Sequence, residues 1–179
     1  KFLQGMIVHH KQAILMSSMV GKRTNNPTIV DLADRIDASQ EDEISFMEGW
    51  LKDRGENVPE ENEHSMMGHD DMSVHIDMVG MATPQQLREL ENSTGTDFDR
   101  LFLQLMIAHH DGALEMVKDL KKFSGAAYDP ILNEFVSDLV NDQGVEIERM
   151  NTIAVGLSDD PRSGLAHGLY TADEAILNL

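Results

Sequence analysis

Two adjacent histidines occur twice in this chain, as His9-His10 and as His109-His110. Each pair has a methionine three residues before it and another six residues after it: Met6 and Met16 around the first, Met106 and Met116 around the second. Neutral imidazole binds borderline transition ions, and thioether sulfur favours soft ones such as Cu(I). Further along, Glu43 and Met47 follow the first pair as Glu146 and Met150 follow the second. A set of imidazole, thioether and carboxylate in that order can hold a metal ion. The same set also suits a buried histidine–glutamate layer that fixes how helices pack.

The elements that position these groups are repeated. Phe2 to Met16 and Phe102 to Met116 align without a gap, with nine of fifteen positions identical, among them both histidines and both methionines. Asn26-Pro27 then answers to Asp129-Pro130, each an N-cap residue with proline at the first helical position. Gln40, Glu43, Ile44 and Met47 match Gln143, Glu146, Ile147 and Met150, so each repeat reads as a helical hairpin turned at 21–26 or 124–129. Thr83-Pro84-Gln85-Gln86 opens a shorter helix with a capping box, and Thr171 to Glu174 marks a last short helical segment. Almost nothing reads as strand. The expected architecture is an all-α four-helix bundle in one domain: repeat one 1–54, a Met- and His-rich linker 55–94, repeat two 95–157 and a tail 158–179.

Helical spacing places Phe2, Met6, His9, Ala13, Met16 and Val20 on one apolar stripe, with Leu3, Ile7, His10 and Ile14 beside it. Both histidines of each pair therefore sit at or next to the buried seam. In the second helix the stripe Ile29, Leu32, Ile36, Glu43, Met47, Trp50 carries one carboxylate, and its counterpart carries Glu146. An unpaired buried carboxylate costs roughly several kcal/mol, so each glutamate requires an imidazole or a metal ion as partner.

The linker adds His64, Met66, Met67, His69, Met72 and His75 within a stretch of eighteen residues holding five methionines and three histidines. One reading lays part of it against the bundle as an amphipathic segment; the other makes it a second, looser Cu(I) site. Gly5 and Gly112 read as close-packing points between helices. No glycine-rich phosphate loop is present, Ser17 and Ser18 lack a nucleophile elbow, and His167 stands in a glycine-flanked tail.

Composition narrows the rest. The 179 residues carry 32 acidic and 14 basic side chains, a formal net charge of −18, which disfavours nucleic acid and anionic lipid and favours cations. The absence of cysteine removes disulfides, thiolate zinc sites and cysteine catalysis together. No apolar run reaches the roughly 20 residues of a membrane span. The chain opens on Lys1 without an initiating methionine, which leaves room for a leader upstream.

Met-Ile-x-His-His-x-x-Ala at 6–13 and 106–113, followed by Gln-x-x-Glu-Ile-x-x-Met at 40–47 and 143–150, resembles the family known as domain of unknown function 305. The resemblance covers Lys1 to about Leu157 and implies a ferritin-like four-helix bundle, usually exported to the periplasm or cell exterior, with some members binding copper. A di-iron carboxylate oxidase, the other chemistry such bundles host, needs carboxylates from all four helices. Nothing from Lys1 to Val30 is acidic, so that reading ranks second. The expectation is a copper-binding, non-catalytic protein with His9, His10, His109, His110, Glu43, Glu146 and the methionines Met6, Met16, Met47, Met106, Met116 and Met150 at a core site. Iron is the less favoured metal, and a structural or stress role without metal is the remaining alternative. Because imidazole must be neutral to bind, affinity is expected to fall as the pH drops through roughly 6.

Overall fold

The computed structural model describes residues 1–59, 78–123, 125 and 128–157. Among them lie five helices and no strand: α1 (Phe2–Arg23), α2 (Pro27–Lys52), α3 (Pro84–Asn92), α4 (Gly95–Lys121) and α5 (Pro130–Gly156). The linker residues His64, Met66, Met67, His69, Met72 and His75, and the tail from residue 158 with its expected last helix and His167, fall outside the described residues.

Three helix starts follow the capping chemistry in the sequence. Asn26 accepts from the Thr28 amide, Asp129 accepts from the Ile131 and Leu132 amides, and each is followed by proline, whose missing N–H costs nothing in a first turn. Thr83 and Gln86 form a reciprocal capping box at the start of α3. Basic residues close α1 with Lys22 and Arg23 and α4 with Lys118 and Lys121, next to the negative ends of those helix dipoles.

The helices pair as two hairpins, α1 with α2 and α4 with α5, and the hairpins meet along α1 and α4. Phe46 of α2 stacks on Phe135 of α5, with ring centroids 4.4 Å apart, joining the outer helices as well. The bundle is apolar at both ends of its interior. Ala13, Met16, Ile29, Leu32, Ile36, Phe98, Phe102, Met106 and Met150 belong to one cluster. Leu3, Met6, Ile7, Met47, Leu51, Ala113, Val117, Leu132, Val136 and Leu139 belong to the other. On every long helix a short run of polar residues separates the two. None of these helices is long and apolar enough to cross a membrane.

Candidate metal centre

The polar run between the two apolar clusters consists of His9 and His10 on α1, Gln40 and Glu43 on α2, His109 and His110 on α4, and Gln143 and Glu146 on α5. All four histidines and both glutamines are buried to 1% exposure or less. Glu43 and Glu146 stand at the margin, with side chains 11% and 17% exposed. A carboxylate that keeps this much exposure is not fully desolvated, which lowers the cost of placing it beside the layer.

Successive residues of a helix point about 100° apart, so adjacent histidines face different neighbours. His10 turns to α2 and its Nε2 meets the Glu43 carboxylate. His110 turns to α5 and its Nε2 lies 2.6 Å from Glu146 Oε2. His9 and His109 turn to each other across the seam between hairpins, with ring centroids 3.8 Å apart and planes tilted by 32°. Helical spacing left open which histidine of each pair meets a glutamate; His10 does, because α2 packs on the His10 side of α1 and α4 on the His9 side.

The facing rings have a defined proton arrangement. His109 Nε2 donates to the backbone oxygen of His9 at 2.8 Å, and His9 Nε2 donates to that of Val79 at 3.2 Å. A carbonyl can only accept, so Nε2 bears the proton in both rings and Nδ1 keeps its lone pair when the ring is neutral. Burial holds both rings neutral. His9 is lowered to about 3, chiefly by desolvation and then by His10, against the opposing effect of the Val79 carbonyl. His109 is held well below the ordinary imidazole range by complete burial and then by His9.

Among the described residues, Nδ1 of all four histidines has no hydrogen-bond partner, nor has either amide atom of Gln40 or Gln143. A buried polar atom without a partner costs about 1–3 kcal/mol, so these atoms mark a place suited to a ligand. Imidazoles whose Nε2 is anchored on a carbonyl or carboxylate, with Nδ1 left over, have the outer-shell support usual for metal-binding histidine. Met6 and Met47 lie in the cluster on one side of the layer, and Met16, Met106 and Met150 in the cluster on the other, all with 0% exposure. Met116 is only half-buried and belongs to the rim. No group of three or more histidine, aspartate or glutamate side chains among the described residues is arranged to hold a metal. The layer is thus made of pairs: two histidine–glutamate pairs flanking one histidine–histidine pair.

Gln40 and Gln143 were visible in the sequence as matched positions but carried no role there. Their signal was an amide on the apolar stripe one turn before each glutamate. Gly112 is a close-packing point, though against a loop: a Cβ at that position would collide with the Val79 carbonyl oxygen and stand 2.8 Å from Gly80 Cα.

The fold has counterparts among known proteins. A crystal structure of a secreted DUF305 protein from Streptomyces coelicolor superposes with a TM-score of 0.71 at 27% identity, covering 93% of this chain and 95% of that one. CopM in its Cu(II)-bound form superposes with a TM-score of 0.68 at 27% identity over 88% of this chain and 95% of CopM, and the Cu(I)-bound form with 0.63 over 85% and 91%. An uncharacterised protein, L153 of Acanthamoeba polyphaga mimivirus, is 44% identical over 54 residues, 30% of this chain and 36% of the viral protein. The family model described as domain of unknown function (DUF305) matches residues 1–154, and with that span and this fold the chain belongs to the DUF305 family.

Proposed function

We propose that this protein binds copper outside the cytoplasm and sequesters it or hands it on, without catalysing a reaction. The observation that carries this reading is the unpartnered, lone-pair-bearing Nδ1 of His9 and His109, two rings from different hairpins in contact inside a buried, methionine-flanked layer. Imidazole with thioether suits copper in either oxidation state, and Cu(I) accepts the low coordination that a facing pair offers. His9 and His109 would be the central ligands. His10 and His110 would act as further ligands or supports, oriented by Glu43 and Glu146, with thioether contacts from Met6, Met16, Met47, Met106, Met116 and Met150. The copper-bound forms of CopM and the secreted Streptomyces protein support the metal and the location.

Titration with Cu(I) and with Cu(II) against a competing chelator tests the proposal. The wild-type chain is expected to retain copper that the His9→Gln, His109→Gln double variant does not. Equal stoichiometry in the two proteins would overturn it.

A second reading is favoured by one observation: every Nε2 in the layer already meets an acceptor within the protein. On that reading the layer only fixes helix register. It predicts no metal in protein purified without chelators, whereas the copper reading predicts copper and the di-iron alternative predicts iron. Elemental analysis separates the three.

A further inference from the structure

Residues 78–82 lie along the groove between α1 and α4, with the Met78 sulfur over Gly5, and a single position of the repeat holds them from both sides. Gln12 of α1 and Gly112 of α4 occupy the same place in their hairpins, three residues after His9 and His109. The Gln12 side chain, 4% exposed, donates to the Ala82 carbonyl at 3.0 Å and accepts from the Ala82 amide at 2.7 Å. On α4 the matching place has no side chain, and the Val79–Gly80 backbone fills it: a Cβ on Gly112 would collide with the Val79 carbonyl oxygen. A Cβ on Gly80, which adopts φ +83°, would collide with the Ala108 carbonyl oxygen. The repeat has diverged here into an anchor on one helix and a slot on the other.

The consequence falls on the two central histidines. A symmetric pair would have each ring donate to the other's backbone. His109 Nε2 does donate to the His9 backbone oxygen, but His9 Nε2 donates to the Val79 carbonyl, the one that lies against Gly112. That carbonyl is the only hydrogen-bond partner of the His9 ring among the described residues. A neutral imidazole carries its proton on the nitrogen that finds an acceptor, and the other nitrogen keeps the lone pair. Helix backbone therefore sets the tautomer of His109, and a segment outside the helices sets that of His9.

We propose that residues 78–82, clamped by Gln12 and seated on Gly112, are the positioning element of the central pair and hold His9 in the tautomer that leaves Nδ1 free. Their bearing on metal rests on the copper reading above: they keep one of the two central donors available to the ion. Gln12 and Gly112 are then positioning residues that act through the Val79 carbonyl, the outer-shell partner of His9, and supply no donor of their own.

Nitrogen-15 spectra of the metal-free full chain, labelled at histidine, test the proposal. In the wild type, His9 and His109 are both expected to show a protonated Nε2 and a bare Nδ1. Gln12→Leu, which removes both anchoring hydrogen bonds, and Gly80→Ala, which unseats the segment from α4, should each move the His9 nitrogens toward a mixture of tautomers. The His109 nitrogens and the helical circular dichroism should stay as in the wild type. In the same variants Cu(I) affinity, measured against a competing chelator, should fall about 10- to 100-fold, the usual cost of losing an outer-shell partner of a metal-binding histidine. His9 nitrogens unmoved in both variants, His109 nitrogens moving equally, or full Cu(I) affinity beside a shifted His9 would overturn the proposal. A wild type that binds no copper, with a His9 tautomer that still responds to the two substitutions, would overturn the copper reading and support the positioning role.

Discussion

Burying two facing imidazoles ties the folding of this protein to pH. Unfolded, a histidine takes up its proton near 6.5; folded, His9 does so only at about 3, and His109 is shifted in the same direction. Between those values the unfolded chain binds more protons, so stability is fully present above about pH 6.5 and is lost progressively as the pH falls toward 3. Urea midpoints measured from pH 7.5 to 4 should fall accordingly, and the slope should flatten in His9→Gln. A midpoint independent of pH in the wild type would contradict the burial argument. A copper site built on His9 and His109 would meet proton competition at His9 only well below pH 6, so chelator competition at pH 7 and pH 5 distinguishes it, by a level affinity, from the decline through roughly pH 6 expected of ordinary imidazole ligands. At the layer's margin, Glu43→Ala deprives buried His10 of its acceptor and should cost about 1–3 kcal/mol, with Glu43→Gln recovering part of it. Chemical denaturation of the two variants side by side checks this, and equal losses would show that side-chain volume and a neutral acceptor recover nothing and that the carboxylate itself is what matters.

Between elements, a helix cap also ties the hairpins together. Asn26 caps α2 by accepting from the Thr28 amide at 3.1 Å, and the same side chain donates to Asp99 Oδ2 of α4 at 2.9 Å. Asp99 is 3% exposed, so losing that donor leaves a buried carboxylate oxygen unserved. Asn26→Ala should therefore cost about 2–4 kcal/mol, more than the roughly 1 kcal/mol of an ordinary cap. Asn26→Ser, which restores the cap alone, should fall between wild type and alanine. Thermal melts of the three proteins would decide; a serine variant as stable as wild type would remove the tie to Asp99 from the account. Residues 78–82 are an element-scale feature of another kind: His9 and Gln12 of α1 hold the Val79 and Ala82 backbone, and Gly80 packs against Gly112 of α4 where neither has room for a side chain.

At the scale of the molecule, a formal charge of −18 on 179 residues opposes compaction. Salt shortens the reach of that repulsion to about 10 Å at 0.1 M. The melting temperature should rise between about 10 and 200 mM sodium chloride, and no rise would mean that local ion pairs such as Lys52–Glu48 already neutralise the field. The same charge makes the protein a general attractor of cations, while the selectivity of any site must come from its donors.

Much of this architecture was legible in the amino-acid order. The helices, their caps at Asn26, Thr83 and Asp129, the pairing of hairpins and the depth of the histidines follow from local chemistry and from a 3.6-residue period, which act over a few residues and so leave a trace in the chain itself. Periodicity alone says that His9 and His10 are inside; it is silent on which neighbour each one meets. The choice of Glu43 for His10 and of His109 for His9 was made by the angle at which α1 lies between α2 and α4, a sum of many small packing terms spread over all three helices. The seating of Met78 over Gly5 came from the same source, since residues 73 positions apart in sequence meet only once the groove exists. Composition and spacing determined the kinds of atom that reach the interior, and tertiary packing decided which of them touch, because contact depends on the relative placement of whole helices and no short stretch of chain encodes that.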